Sequence, residues 1–235
     1  LGEIIHNPQV IKKFKKKGIN IIEEISQVPP DKYLITRAHG ISRNEENYIK
    51  RNNIKLIDTT CPYVKKLHQI ASVLKKEKYQ IVILGDIDHP EIKSLLSYIN
   101  NNALVIQSAN DVKLKNYKFY GKIGLLSQTT KDIKQFLKIT KKIFNHTEEL
   151  RIFNTICMAT RLRQEATEEL AKTVDLMIVI GGLNSANTSR LTYLSKKIGV
   201  ETYHIEDEKQ LNLNWFQGKK KIGITSGTSA PDYIT

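Results

Sequence analysis

Two cysteines stand in matching settings in this chain, and their spacing carries chemistry. Cys61 follows Asp58-Thr59-Thr60 and precedes Pro62; Cys157 follows Asn154-Thr155-Ile156 and precedes a helix-forming stretch containing Arg161, Arg163 and Glu165. Each lies 28 residues ahead of a polar turn, Cys61 before His89 and Cys157 before Ser185. Thiolates in recurring positions are ligands for an iron–sulfur cluster, and zinc is the competing metal because cysteine and histidine satisfy it too. The same interval measured back from His6 falls ahead of residue 1, so a third cysteine is expected upstream. The chain opens with Leu1 inside a strand-like segment, and it is read as lacking its natural beginning.

The polar residues recur in the same way. Three segments open on Glu-Ile-Ile-His6-Asn-Pro, Ile-Leu-Gly85-Asp-Ile-Asp-His89-Pro-Glu91 and Val-Ile-Gly-Gly182-Leu-Asn-Ser185-Ala-Asn187. They close on Ala-His39-Gly, Ser-Gln-Thr129-Thr130 and Gly-Thr-Ser229-Ala-Pro. Imidazoles, hydroxyls and an amide beside helix starts make an anion cradle, because free backbone N–H groups and the helix dipole favour negative charge there. A phosphate or diphosphate fits it. Glu91, two residues after His89, is the candidate proton donor, with Thr129 as a relay. Plainer roles exist for each: His6 and His89 as helix caps, His39 as a turn residue, Glu91 as a dipole partner and Thr129 as the cap of a helix beginning near Lys131. His68, His146 and His204 fall outside the repeats and read as ordinary helix-surface or strand residues.

The elements that must position these groups are strands alternating with amphipathic helices, the pattern of an α/β protein with mostly parallel sheets. Strands are expected over 33–36, 80–84, 104–106, 122–126, 175–180, 201–205 and 221–225. Helical spacing runs through Val64, Leu67, Ala71 and Leu74, and through Ile133, Phe136, Leu137, Thr140, Ile143 and Phe144. The repeats divide the chain into units 1–60, 61–153 and 154–235. The fold expected is a trefoil of three quasi-repeated α/β units with pseudo-threefold symmetry, which points the polar strand ends at one central site.

Composition sets the remaining bounds. With 235 residues, 40% hydrophobic and 26% charged, the chain is a folded globular protein rather than a disordered or fibrous one. No apolar run approaches the roughly 20 residues of a membrane span, and no secretory signal or disulfide framework is visible, which places the protein in the cytoplasm. A net charge of +13 favours anionic partners. The Lys12, Lys13, Lys15, Lys16 and Lys17 run reads as a solvated helix face, and no nucleic-acid motif accompanies it. A basic nucleic-acid-binding module and a zinc hydrolase remain as alternatives, but neither accounts for the threefold placement of the cysteines and polar turns.

Taken in order, His6-Asn7, Ala38-His39-Gly40, Asp58-Thr59-Thr60-Cys61-Pro62, Gly85 with His89-Pro90-Glu91, Ser127-Gln128-Thr129-Thr130, Cys157 with Ala159-Thr160 and Arg163-Gln164-Glu165-Ala166, Asn184-Ser185-Ala186-Asn187, and Gly227 with Ser229-Ala230-Pro231-Asp232 resemble the LytB-type 4-hydroxy-3-methylbut-2-enyl diphosphate reductase family over essentially the whole chain. The resemblance implies a trefoil around a 4Fe-4S cluster held by three cysteines. It implies reductive loss of an allylic hydroxyl to give isopentenyl and dimethylallyl diphosphates, with a ferredoxin or flavodoxin as electron donor. By motif match Cys61 and Cys157 are cluster ligands, and His6, His39, His89, Ser185, Asn187 and Ser229 hold the diphosphate. Glu91 supplies the proton, and Thr129 lies near the substrate hydroxyl. Ala186 departs from the family pattern, where serine is often found. The missing upstream cysteine is the larger departure.

Overall fold

Short Ile-, Val- and Leu-rich runs bounded by polar turns become strands, and the periodic stretches between them become helices. The computed structural model describes residues 1–111 and 121–231. In chain order the elements are α1 (Pro8–Lys16), β1 (Tyr33–Ile35), α2 (Arg43–Arg51), β2 (Lys55–Ile57), α3 (Pro62–Lys76), β3 (Gln80–Leu84), α4 (Pro90–Tyr98), β4 (Ala103–Ile106), β5 (Lys122–Ser127), α5 (Ile133–Phe144), β6 (Glu149–Ile152), α6 (Met158–Ala171), β7 (Leu176–Ile180), α7 (Ala186–Ile198), β8 (Glu201–Ile205) and β9 (Ile222–Ser226). Asp232, the last residue of the final motif, lies outside the described residues. Among the described residues no helix is long and apolar enough to cross a membrane.

The chain forms two compact units. The first comprises Leu1–Ile4 and Ile22–Cys157. It holds a two-stranded sheet, β1-β2, and a four-stranded sheet in the order β4-β3-β5-β6, every pair parallel. β3 is apolar on both faces, as a strand covered by helices on each side must be. One side packs Ile81 and Ile83 against Leu67, Leu74, Ile92 and Leu95 of α3 and α4; the other packs Val82 and Leu84 against Phe136, Ile139 and Ile143 of α5. Leu34, Ile41 and Ile49 close a smaller core with Leu1.

The second unit comprises Ile5–Ile21 and Met158–Thr235. Its three-stranded parallel sheet has the order β8-β7-β9, with Leu176, Ile178, Ile180 and Ile205 in its core. The five lysines at 12, 13 and 15–17 are exposed, as a solvated face requires.

Some expectations need correction. Residues 1–4 run beside β1, with the Leu1 amino group donating to the Ile35 carbonyl and the Ala38 N–H donating to that of Ile4, but they form no regular strand. Gly2 sits at φ +64°, which breaks the extended run. The short strands β2 and β6 had no counterpart in the sequence reading: both are charged at one end and largely exposed, as edge strands are. In α5 the apolar stripe is narrower than its spacing implies, for Leu137 and Phe144 are exposed. His68 is buried in α3, not on a helix surface.

Candidate active site

Helix starts position nearly every candidate residue. In the first unit the turn after β3 ends at His89, which caps α4: its Nδ1 accepts the Glu91 N–H at 3.2 Å, and Pro90 fills the first helical position. The loop after β1 carries His39, followed by Gly40 at φ +82°, a backbone that disfavours a side chain. The His39 and His89 rings meet edge to face, with centroids 5.3 Å apart. These two histidines, from separate motifs, therefore form one imidazole pair.

Glu91 is 2% exposed. Its Oε1 accepts the Thr129 backbone N–H at 2.8 Å and its Oε2 accepts the Thr129 hydroxyl at 2.7 Å. Burial pushes its pKa up, opposed by the two Thr129 hydrogen bonds and by Lys131. A dipole partner on a solvated first turn would need neither the burial nor the two bonds. Thr129 is not the cap of the following helix, which begins at Ile133 with Asp132 accepting the Lys134 N–H. Gln128 is buried behind this pair and fixes the turn, its Oε1 accepting the Asp86 N–H at 3.0 Å.

Both cysteines belong to this first unit and are free, half-exposed thiols. Cys61 is the N-cap residue of α3, with Pro62 next; Cys157 ends the segment after β6 and directly precedes α6. Each is tied to the polar loop closing its own repeat: the Cys61 N–H donates to the Ala38 carbonyl at 3.0 Å, and the Cys157 N–H to the Thr129 carbonyl at 2.9 Å. Two free thiols at such junctions, one beside His39 and one beside Thr129, are a donor set that fits part of an iron–sulfur ligand shell.

The second unit gathers His6, Ser185, Asn187 and Ser229. Ser185 caps α7 by accepting the Thr188 N–H. The Asn7 side chain, not His6, caps α1, accepting the Gln9 and Val10 N–H groups at 3.1 Å each. The Ser229 hydroxyl donates to the His6 carbonyl at 3.3 Å, and the Asn7 amide donates to the Ser229 carbonyl at 3.1 Å. Glycine is required where these turns close: a Cβ on Gly182 would lie 2.5 Å from the His6 carbonyl oxygen, and one on Gly227 would lie 2.0 Å from Thr188 Oγ1. Asn187 is 3% exposed, and both atoms of its carboxamide are buried without a hydrogen-bond partner. A buried amide with both ends unsatisfied is costly unless a ligand uses it, and its Nδ2 is a donor that an oxyanion could take up.

Comparison with known proteins bears on this arrangement. The family model described as LytB protein matches residues 1–235. A 4-hydroxy-3-methylbut-2-enyl diphosphate reductase of Helicobacter pylori (strain Shi470) is 44% identical over 234 residues, spanning 99% of this chain and 85% of that protein. A reductase of the same name from Campylobacter hominis is 45% identical, over 100% of this chain and 85% of its own length. Among solved structures, the E-1-hydroxy-2-methyl-but-2-enyl-4-diphosphate reductase of Plasmodium falciparum superposes with a TM-score of 0.91 at 31% identity, covering 99% of this chain and 74% of that one. A structure described as (E)-4-hydroxy-3-methyl-but-2-enyl diphosphate reductase, the terminal enzyme of the non-mevalonate pathway, gives 0.69 at 38% identity, over 100% and 83%.

Proposed function

The chain belongs to the LytB protein family, and from that premise we propose that it is a 4-hydroxy-3-methylbut-2-enyl diphosphate reductase. In the reaction the allylic C–O bond breaks. Two electrons and two protons enter, the hydroxyl leaves as water, and isopentenyl and dimethylallyl diphosphates are the products. The observation that carries this reading is the buried Glu91, two residues beyond the His89 cap and gripped by both the amide and the hydroxyl of Thr129. A carboxyl whose pKa is raised by burial holds its proton at higher pH than an exposed one, and the Thr129 hydroxyl offers a path for it toward a substrate oxygen.

The residue roles follow from chemistry. His6, His39, His89, Ser185, Asn187 and Ser229 are the residues assigned to the diphosphate. Imidazoles, hydroxyls and an unsatisfied amide are donors that suit its oxygens, and the helix starts add partial positive charge. The tail is not consumed, so its binding energy serves to orient the reacting end. Cys61 and Cys157 hold a 4Fe-4S cluster together with a third cysteine upstream of residue 1. When bound, the cluster supplies electrons and an open iron as Lewis acid for the departing hydroxyl.

β1 is flanked by β2, which runs into Cys61, and β5 by β6, which runs into Cys157. The same reading divides the chain into three α/β units, 1–60, 61–153 and 154–235. The protein works in the cytoplasm with a ferredoxin or flavodoxin, and its net charge of +13 steers such an acidic donor. Its role requires no nucleic acid and no membrane.

The test is anaerobic reconstitution of the polypeptide with its upstream segment, followed by visible spectroscopy, iron and zinc analysis, and turnover. The expected result is a brown, iron-loaded protein that consumes reductant when the allylic diphosphate is added. A colourless, iron-free protein that still binds phosphate refutes the reading.

A further inference from the structure

Three elements that begin at candidate site residues meet at one buried point, away from the groups assigned above. Ser94, on α4 one turn beyond Glu91, is 3% exposed, and its hydroxyl donates to the Ile41 carbonyl at 2.7 Å. Ile41 lies two residues past His39. The same hydroxyl lies 3.4 Å from Nε2 of His68, on α3 two turns beyond Cys61. Ser94 has one proton, which it gives to Ile41, so its oxygen accepts the Nε2–H of a neutral imidazole. His68 is 8% exposed and stacks on Tyr98, with centroids 4.5 Å apart; the Tyr98 hydroxyl donates to Glu46 at 3.2 Å. The ring thus has a fixed plane as well as a fixed hydrogen bond. The loop presses directly on it: a Cβ on Gly40 would lie 3.1 Å from both His68 Cε1 and Ser94 Oγ.

We propose that His68 is a positioning residue of the reductase, acting through Ser94 to fix the spacing between the His39 loop and the helix start that carries His89 and Glu91. The inference rests on the function proposed above, because it matters only if His39 and His89 bind diphosphate. Without the Nε2–H, Ser94 loses the donor that orients its hydroxyl, and the loop gains freedom where a misplacement of about 1 Å costs up to about a hundredfold. A cavity of about 660 Å³ lined by Gly40, Ile41, His68 and Tyr98 borders the ring, so a replacement side chain need not overpack.

The test uses the complete, reconstituted enzyme and two readouts: affinity for inorganic diphosphate by calorimetry, and KM against kcat. His68→Phe keeps the stacking on Tyr98 and removes the donor. It is expected to weaken diphosphate binding and raise KM by about tenfold. His68→Gln, whose amide nitrogen reaches the Nε2 position, restores both to within about threefold. Ser94→Ala reproduces the Phe phenotype, and the double variant is no worse than either single one, as residues acting through one contact require. Unchanged affinity and KM in both His68→Phe and Ser94→Ala, or a loss shared equally by Phe and Gln, overturns the proposal. His39→Ala separates the two levels: if it leaves diphosphate affinity intact, the site reading itself fails.

Discussion

Replacing Gly227 by alanine places a methyl carbon 2.0 Å from Thr188 Oγ1, 3.2 Å from its Cβ and 3.6 Å from its Cα. Real Cβ atoms do not come within 3.0 Å of another heavy atom, so something must move. Rotation of Thr188 offers no escape. The residue is walled in by its own burial, and a β-branched side chain in a helix has few χ1 choices. Thr188 is fully buried, so the strain passes to the backbone of α7 or of the 227–229 turn. Overpacking of this kind costs about 1–3 kcal/mol. At about 3 kcal/mol per M, that lowers the urea midpoint by about 0.3–1 M. Thr188→Ala removes the clashing atoms and leaves the 3.2 Å contact, which a small shift relieves. Its own cost is low, because the Thr188 hydroxyl is buried without a partner. In the Thr188→Ala background, Gly227→Ala should therefore cost about 1–2 kcal/mol less than in the wild type, a coupling that a double-mutant cycle of urea titrations resolves. Equal costs in the two backgrounds would falsify the claim that this seam limits the turn.

Glu91→Gln in the complete enzyme keeps iron content and diphosphate affinity but lowers turnover by about 10²–10⁴-fold, the usual worth of a general acid; unchanged kcat removes Glu91 from the proton path. Asn187→Ala weakens diphosphate binding by about tenfold while leaving the melting midpoint nearly unmoved, because the carboxamide has no partners to lose; a large stability loss with intact affinity contradicts its role. His68 is held down to about pKa 4 by burial, slightly opposed by Glu46, against about 6.5 when unfolded. Its depressed folded value means the folded state binds fewer protons, so its contribution is present above pH 6.5 and is lost as pH falls toward 4. Between pH 7.5 and 4.5 that loss is about 2–3 kcal/mol. Urea titrations should show it in the wild type and not in His68→Phe, and parallel pH curves for the two proteins count against a buried neutral ring.

The central strands were legible because burial on both faces writes itself as an unbroken apolar run: β3 begins and ends where the sequence places it, and β7 does so to within one residue. β2 and β6 were not, because an edge strand of three or four largely exposed residues is held by its backbone partner rather than by its own composition. Repeat spacing brought the cysteines and polar turns into register, and the caps at His89 and Ser185 match it. The plainer alternative for Thr129, a cap near Lys131, gives way to Asp132, because an Asp side chain one residue before the helix outcompetes a threonine already engaged by Glu91.

His68 shows why the rest of the site was hidden. A helix residue seven positions past Cys61 carries no repeat signature, and histidine is compatible with surface or core. What decides its place is that α3 must bury Val64, Leu67, Ala71 and Leu74, and His68 sits one residue from Leu67 on the same buried side of the helix. A histidine carried inward with that stripe must shed its charge and find a donor or acceptor, and Ser94 and Tyr98 supply the polar and planar contacts that make this tolerable. Recognising that constraint from sequence requires knowing that α4 lies across α3, a tertiary fact. Groups that contact a ligand announce themselves by type and spacing, whereas a group that holds those residues in place is visible only once the helices are packed.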